Sequence, residues 1–126
     1  MKNESNQNHP RHTKILEELQ KMAGPQYVSD GLAERFIYHW DFVTCSTPPG
    51  TCEFVVMPAD VEQVAEIVRL ANREKIPVVP LVSGMNFGGL AIPRKGGIVV
   101  DLRRMNKVIE VHEDDMYALV EGGITW

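Results

Sequence analysis

The alternation of apolar and polar positions is most regular between Glu53 and Val82. Glu53-Phe54-Val55-Val56-Met57-Pro58 is a short apolar run closed by proline and reads as a strand. Asp60 and Gln63 form an Asp-x-x-Gln capping box at the start of a helix. Val61, Val64, Ala65, Val68 and Ala71 recur at helical spacing, with Ile67 and Leu70 widening the stripe. Glu62, Glu66, Arg69 and Arg73 lie mainly off it. The helix is expected to end near Lys75, because Ile76-Pro77 disfavours helical backbone. Val78 to Val82 then reads as a second buried strand between and after two prolines. Strand, helix and strand make a βαβ unit, expected to be right-handed with its strands parallel.

Other elements follow from weaker patterns. Thr13 is the expected N-cap of a helix through Ala23, with Ile15, Leu16, Leu19 and Met22 on one face and Gly24-Pro25 as its stop. Met1 to His12 has no apolar residue after Met1 and reads as a disordered lead-in, giving an expected division into 1–13, 14–50 and 51–126. Phe36 to Thr44 is aromatic-rich with no clear period, and Thr47-Pro48-Pro49-Gly50 is a turn or linker. Beyond Gly96 the chain turns to strands: Gly97–Leu102, Lys107–Val111 and Met116–Glu121, with turns at 103–106 and 113–115. The fold class expected is α+β, with an α/β-like βαβ start, short parallel strands, flanking helices and further strands.

Composition narrows the function classes. At 126 residues there is at most one domain, and 44% hydrophobic with 24% charged residues is a globular balance. A net charge of −4 argues against a nucleic-acid partner. No apolar run approaches the roughly 20 residues of a membrane span. No signal-peptide pattern precedes Thr13, so a cytoplasmic location is expected. Cys45 and Cys52 match no metal or redox spacing and read as idle thiols. His9 and His12 lack a third metal-ligating partner, and His39 beside two aromatics reads as a packed or surface histidine.

The chemistry concentrates in Val82-Ser83-Gly84-Met85-Asn86-Phe87-Gly88-Gly89, which follows the second strand of the βαβ unit. Open α/β sheets place ligands at that end of their strands. Glycines there permit positive φ and expose backbone N–H groups in a concave nest suited to phosphate oxygens. A tight turn that binds nothing is the competing reading. The spacing of Gly84, Gly88 and Gly89 is not a dinucleotide fingerprint, and no Gly-Lys-Ser/Thr triplet makes a P-loop. The basic pairs Arg94-Lys95 and Arg103-Arg104 read as solvated turns, with a phosphate contact as the alternative. Asp41 and Asp101 are explained by turns and strand ends.

Taken in order, these pieces resemble a known family. Val56-Met57-Pro58-Ala59-Asp60-Val61-Glu62-Gln63-Val64, Ile67 to Asn72, and Ile76-Pro77-Val78-Val79-Pro80 come first. The Gly-rich loop, Gly97 to Val108, and Tyr117-Ala118-Leu119-Val120-Glu121-Gly122-Gly123-Ile124-Thr125 complete the match. The chain resembles the first lobe of the PCMH-type FAD-binding domain found in FAD-linked oxidases. These include vanillyl-alcohol oxidase, p-cresol methylhydroxylase, glycolate oxidase and D-lactate dehydrogenase relatives. The resemblance implies that FAD is the cofactor and that the backbone of Val82, Ser83, Gly84, Met85, Asn86, Phe87 and Gly88 holds its pyrophosphate. It also implies that Gly122 lies close to the flavin, although many relatives have Pro-Gly where this chain has Gly122-Gly123.

Relatives that tether FAD through a loop histidine carry it in this stretch. Here no histidine lies between His39 and His112, so a non-covalent cofactor is expected. The family continues well past the position of Trp126. The chain is therefore expected to be the first lobe alone, as a truncated gene product, a cut piece or one half of a split enzyme, with a complementary chain supplying the rest. No catalytic residue and no metal ligand is assigned. A non-catalytic fragment or assembly subunit is the alternative function.

Overall fold

Local chemistry sets the helices. The computed structural model describes residues 9–39, 49–85 and 88–125. The first helix, α1, spans Pro10–Ala23, and its cap lies four residues before the expected Thr13. His9 is its N-cap, with Nδ1 accepting from the Arg11 N–H, and Pro10 suits the first helical position because it has no N–H to satisfy. Residues 10–13, assigned from sequence to the lead-in, are thus helical. A single 3-10 turn, Pro25–Tyr27, leads into strand β1, Val28–Ser29, and the short helix α2 covers Leu32–Phe36. Phe36, Ile37, Tyr38 and His39 of the aromatic segment end this helix and its following turn; residues 40–48 lie outside the described residues.

Strand β2 is Phe54–Val56 and helix α3 is Val61–Glu74. Asp60 Oδ1 accepts from the Gln63 N–H at 2.8 Å, as the capping box requires, while Gln63 Oε1 reaches back one residue further, to the Ala59 N–H. Lys75, at φ 56, ends the helix in the left-handed region. The buried face of α3 is Ile67, Leu70 and Ala71; Val61 and Val68 are exposed. The stripe read from the sequence is therefore rotated. The larger Ile67 and Leu70 take the sheet side, where they remove more apolar surface from water than the valines would.

Strands β3, Val78–Leu81, and β4, Ile98–Asp101, complete a four-stranded sheet in the order β1-β2-β4-β3. The strands β2 and β3 are parallel in the sheet, as the βαβ reading expects, but β4 lies between them and pairs with both. Every residue of β4 is buried, as a central strand should be, whereas β3 is an edge strand on which Pro80 is tolerated. One face carries Phe54, Val56, Ile98 and Val100 against Ile15, Leu19, Ile67 and Leu70. The other carries Val55 and Val99 against Tyr38 and Cys52, with Val79 and Leu81 partly buried there.

A separate antiparallel hairpin, β5 (Val108–His112) and β6 (Tyr117–Val120), follows. Met116, expected to begin β6, lies in the turn at φ 53. Val108, Ile109, Val111, Tyr117 and Leu119 are all exposed on the hairpin.

Candidate functional site

Strand β3 delivers the Gly-rich loop at its C-terminal end. The Leu81 carbonyl, the last of the strand, accepts from the Leu102 N–H at 2.8 Å. Val82 and Gly84 are half-buried, while Ser83 and Met85 are exposed. Ser83 Oγ accepts from the Met85 N–H at 3.4 Å, a long bond that curls the loop back on itself. Gly84 has φ 75, and a Cβ built there meets nothing within 4 Å. The N–H groups of Val82, Ser83 and Gly84 have no hydrogen-bond partner among the described residues. Unused neutral donors around an open left-handed glycine fit an oxygen-rich anion such as a diphosphate. Asn86 and Phe87 lie outside the described residues; Gly88 is exposed and Gly89 buried.

The second candidate segment, Gly122-Gly123, sits against the turn that follows β4. Gly123 donates to the Met105 carbonyl at 2.8 Å and lies over the Leu102 carbonyl so closely that a Cβ would come within 1.7 Å of its oxygen. Gly122 is looser: a Cβ there would meet only Leu102 Cδ1, at 3.8 Å. Leu102 therefore lies between the two segments. Its N–H holds the end of β3 and its carbonyl backs Gly123.

The same turn is anchored by a buried carboxylate. Asp101, fully buried at the end of β4, accepts from the Tyr38 hydroxyl at 2.9 Å and from Arg103 Nε and Nη2 at 2.9 and 2.6 Å. Arg104 stacks 3.4 Å over the Tyr27 ring and donates to the Met57 carbonyl, tying the turn to the end of β2. Hydrogen bonding to Asp101 holds Arg103 charged well above its usual range. Burial, reinforced by the Asp101 carboxylate, pushes Tyr38 up to about 12. A phenol held neutral by the fold adds stability below its unfolded value near 10 and loses it as pH rises toward 12. Urea unfolding at pH 8 and pH 11.5 should therefore show an alkaline loss of up to about 2 kcal/mol that is absent from Tyr38→Phe. Reading the sequence assigned Asp101 to a strand end and missed Tyr38 as its partner.

The remaining candidates are structural or peripheral. His39 Nε2 lies 3.3 Å from Thr51 Oγ1, and its carbonyl accepts from the Gly50 N–H, so it braces a loop. Burial raises the Cys52 thiol to about 11, which keeps it unreactive; Cys45 and Asp41 lie outside the described residues. Among the described residues no group of three metal-ligating side chains converges. Arg94 and Lys95 are exposed on a cleft of about 400 Å³ that runs along β3 to Gly88, Gly89 and Leu90. A larger cleft, about 510 Å³, opens between Arg11, Lys75 and Pro77 at the opposite end of the strands and touches none of the loop.

The profile of the FAD binding domain family matches residues 52–126, covering β2 to β6 and both candidate segments. The chain belongs to this family. It is 29% identical over 112 residues to the glycolate oxidase subunit GlcD of Bacillus subtilis, spanning 87% of the chain and 23% of that relative. Over 73 residues it is 42% identical to the flavoprotein subunit of 4-cresol dehydrogenase (hydroxylating) from Pseudomonas putida, 56% of the chain and 14% of the relative. The structure of p-cresol methylhydroxylase with substrate bound aligns with a TM-score of 0.80 at 29% identity, covering 93% of this chain and 23% of that one. The α+β fold with its PCMH-type neighbours is thus as the sequence implies. The chain spans about a quarter or less of each of these relatives. No helix among the described residues is long and apolar enough to cross a membrane.

Proposed function

We propose that this chain is the FAD-binding portion of an FAD-dependent oxidoreductase that oxidises an alcohol, a 2-hydroxy acid or an alkylphenol. When bound, the flavin supplies the hydride-accepting chemistry, and the protein's part is to hold and orient it. The observation that carries this reading is the run of N–H groups at Val82, Ser83 and Gly84 that have no partner among the described residues, beside an open Gly84, inside the stretch matched by the family. Val82 to Gly88, including Asn86 and Phe87, hold the diphosphate by backbone donors, and Gly122 faces the flavin side. The cofactor is held without a covalent link through the loop, since no histidine occurs there. The relatives' alcohol and phenol chemistry sets the substrate class, and residues outside this chain choose the substrate. The division of the chain into 14–50 as a connecting segment and 51–126 as cofactor-binding portion follows the same reading.

A second reading is favoured by the exposed apolar hairpin β5–β6. On that reading the chain is a non-catalytic piece or assembly subunit that binds FAD only with a complementary chain. Titration of the purified chain with FAD, followed by flavin fluorescence and calorimetry, separates the two. Saturable binding is expected, weakened at least about tenfold in Gly84→Val, because a β-branched side chain is strained at φ 75 and projects into the open space. Binding that Gly84→Val leaves unchanged would remove the loop from the cofactor site. Absence of binding would favour the assembly reading.

A further inference from the structure

We propose that Tyr38 and Asp101 are positioning residues that set the spacing between the Gly-rich loop and Gly122-Gly123. This rests on the FAD reading for its functional consequence. Asp101 is the register partner of Leu81, the residue that leads into Val82. Immediately after Asp101, the Leu102 N–H bonds the Leu81 carbonyl, and the Leu102 carbonyl backs Gly123. The two peptide groups flanking the Leu102 Cα therefore meet both segments, and their orientation fixes the two together. That orientation is set from behind. Asp101 is fully buried, and its carboxylate is held by Arg103 two residues on and by Tyr38, 63 residues upstream. Tyr38 shares the buried cluster of that sheet face with Cys52, Val55 and Val99, against which Leu81 packs, while its hydroxyl grips the turn. Arg103 belongs to the turn itself and moves with it. Tyr38 is the member of the network that ties the turn to a distant element.

The Leu102 amide, bonded to the Leu81 carbonyl, and the Gly123 amide, bonded to the Met105 carbonyl of the same turn, report on the seating of the two segments by hydrogen exchange in the full chain. In Tyr38→Phe both amides should exchange about fivefold faster, the weight of one buried hydrogen bond, while α3 amides such as Leu70 keep their wild-type rates. The FAD dissociation constant should rise by a similar factor. Asp101→Asn, which sets an N–H donor against Arg103 or the Tyr38 hydroxyl, should give a change in the same direction that is at least as large. Leu70→Ala is the control for plain destabilisation: it should raise exchange throughout and leave FAD affinity unchanged. Acceleration of Leu102 and Gly123 only in step with α3, or no acceleration, would overturn the proposal. If the wild-type chain binds no FAD, the cofactor reading falls for the chain alone, and the exchange rates still decide whether Tyr38 and Asp101 position the two segments.

Discussion

Gly123→Ala is expected to destabilise the chain by about 3 kcal/mol, whereas Gly122→Ala should change stability by less than about 0.5 kcal/mol. A Cβ at position 123 would lie 1.7 Å from the Leu102 oxygen, 2.6 Å from its carbonyl carbon and 2.8 Å from the Met105 oxygen. All three are backbone atoms, so no side-chain rotation relieves the clash. The chain after β6 would have to lift off the turn, losing the Gly123 to Met105 hydrogen bond and uncovering Met105, which is buried. At position 122 the same methyl meets only a flexible leucine tip at 3.8 Å. Urea denaturation of the two variants checks the contrast. Equal midpoints would show that Gly123 is not seated on the Leu102 carbonyl.

Phe54→Ala should cost about 3–5 kcal/mol, a large part of the 5–15 kcal/mol that holds a domain of this size. Phe54 is fully buried on the middle of the face where α1, α3 and the sheet meet. Its ring stacks on buried His12 with centroids 4.4 Å apart, so removing it opens a cavity and strips α1 of its deepest contact with β2. Truncating Leu90, which is 80% exposed, is the matched control and should fall within about 0.5 kcal/mol of wild type. An unchanged denaturant slope with a lowered midpoint would place the effect in the native packing. A Phe54→Ala midpoint equal to that of Leu90→Ala would mean that α1 does not depend on this contact.

Features governed by neighbours in the chain were legible from the residues. Asp60 caps α3, Gly24 follows α1, Gly84 turns left-handed and the segments at 54–56, 78–81 and 98–101 are strands, because each depends on spacing or on a residue's own backbone preference. Even there, the start of α1 reads four residues late, cap to cap, since a histidine cap with Pro10 behind it is a weaker signal than a threonine. The placement of the Gly-rich loop at a strand end was also readable, because a loop necessarily leaves the strand before it.

What depended on distant partners was not readable. Insertion of β4 between β2 and β3 is a pairing choice among parallel strands, and each strand's own pattern is satisfied by any neighbour. The buried face of α3 turned on which side chains the sheet could cover, so Ile67 and Leu70 displaced Val61 and Val68. The site shows the same division. Gly122 and Gly123 are indistinguishable in sequence, yet only one lies against a carbonyl, and that carbonyl belongs to a residue 21 positions earlier. Asp101 and Tyr38 are 63 residues apart, and nothing local to either predicts that they meet. Local spacing determined the elements and the loop; the packing of one turn against several separate parts of the chain decided how the loop is held.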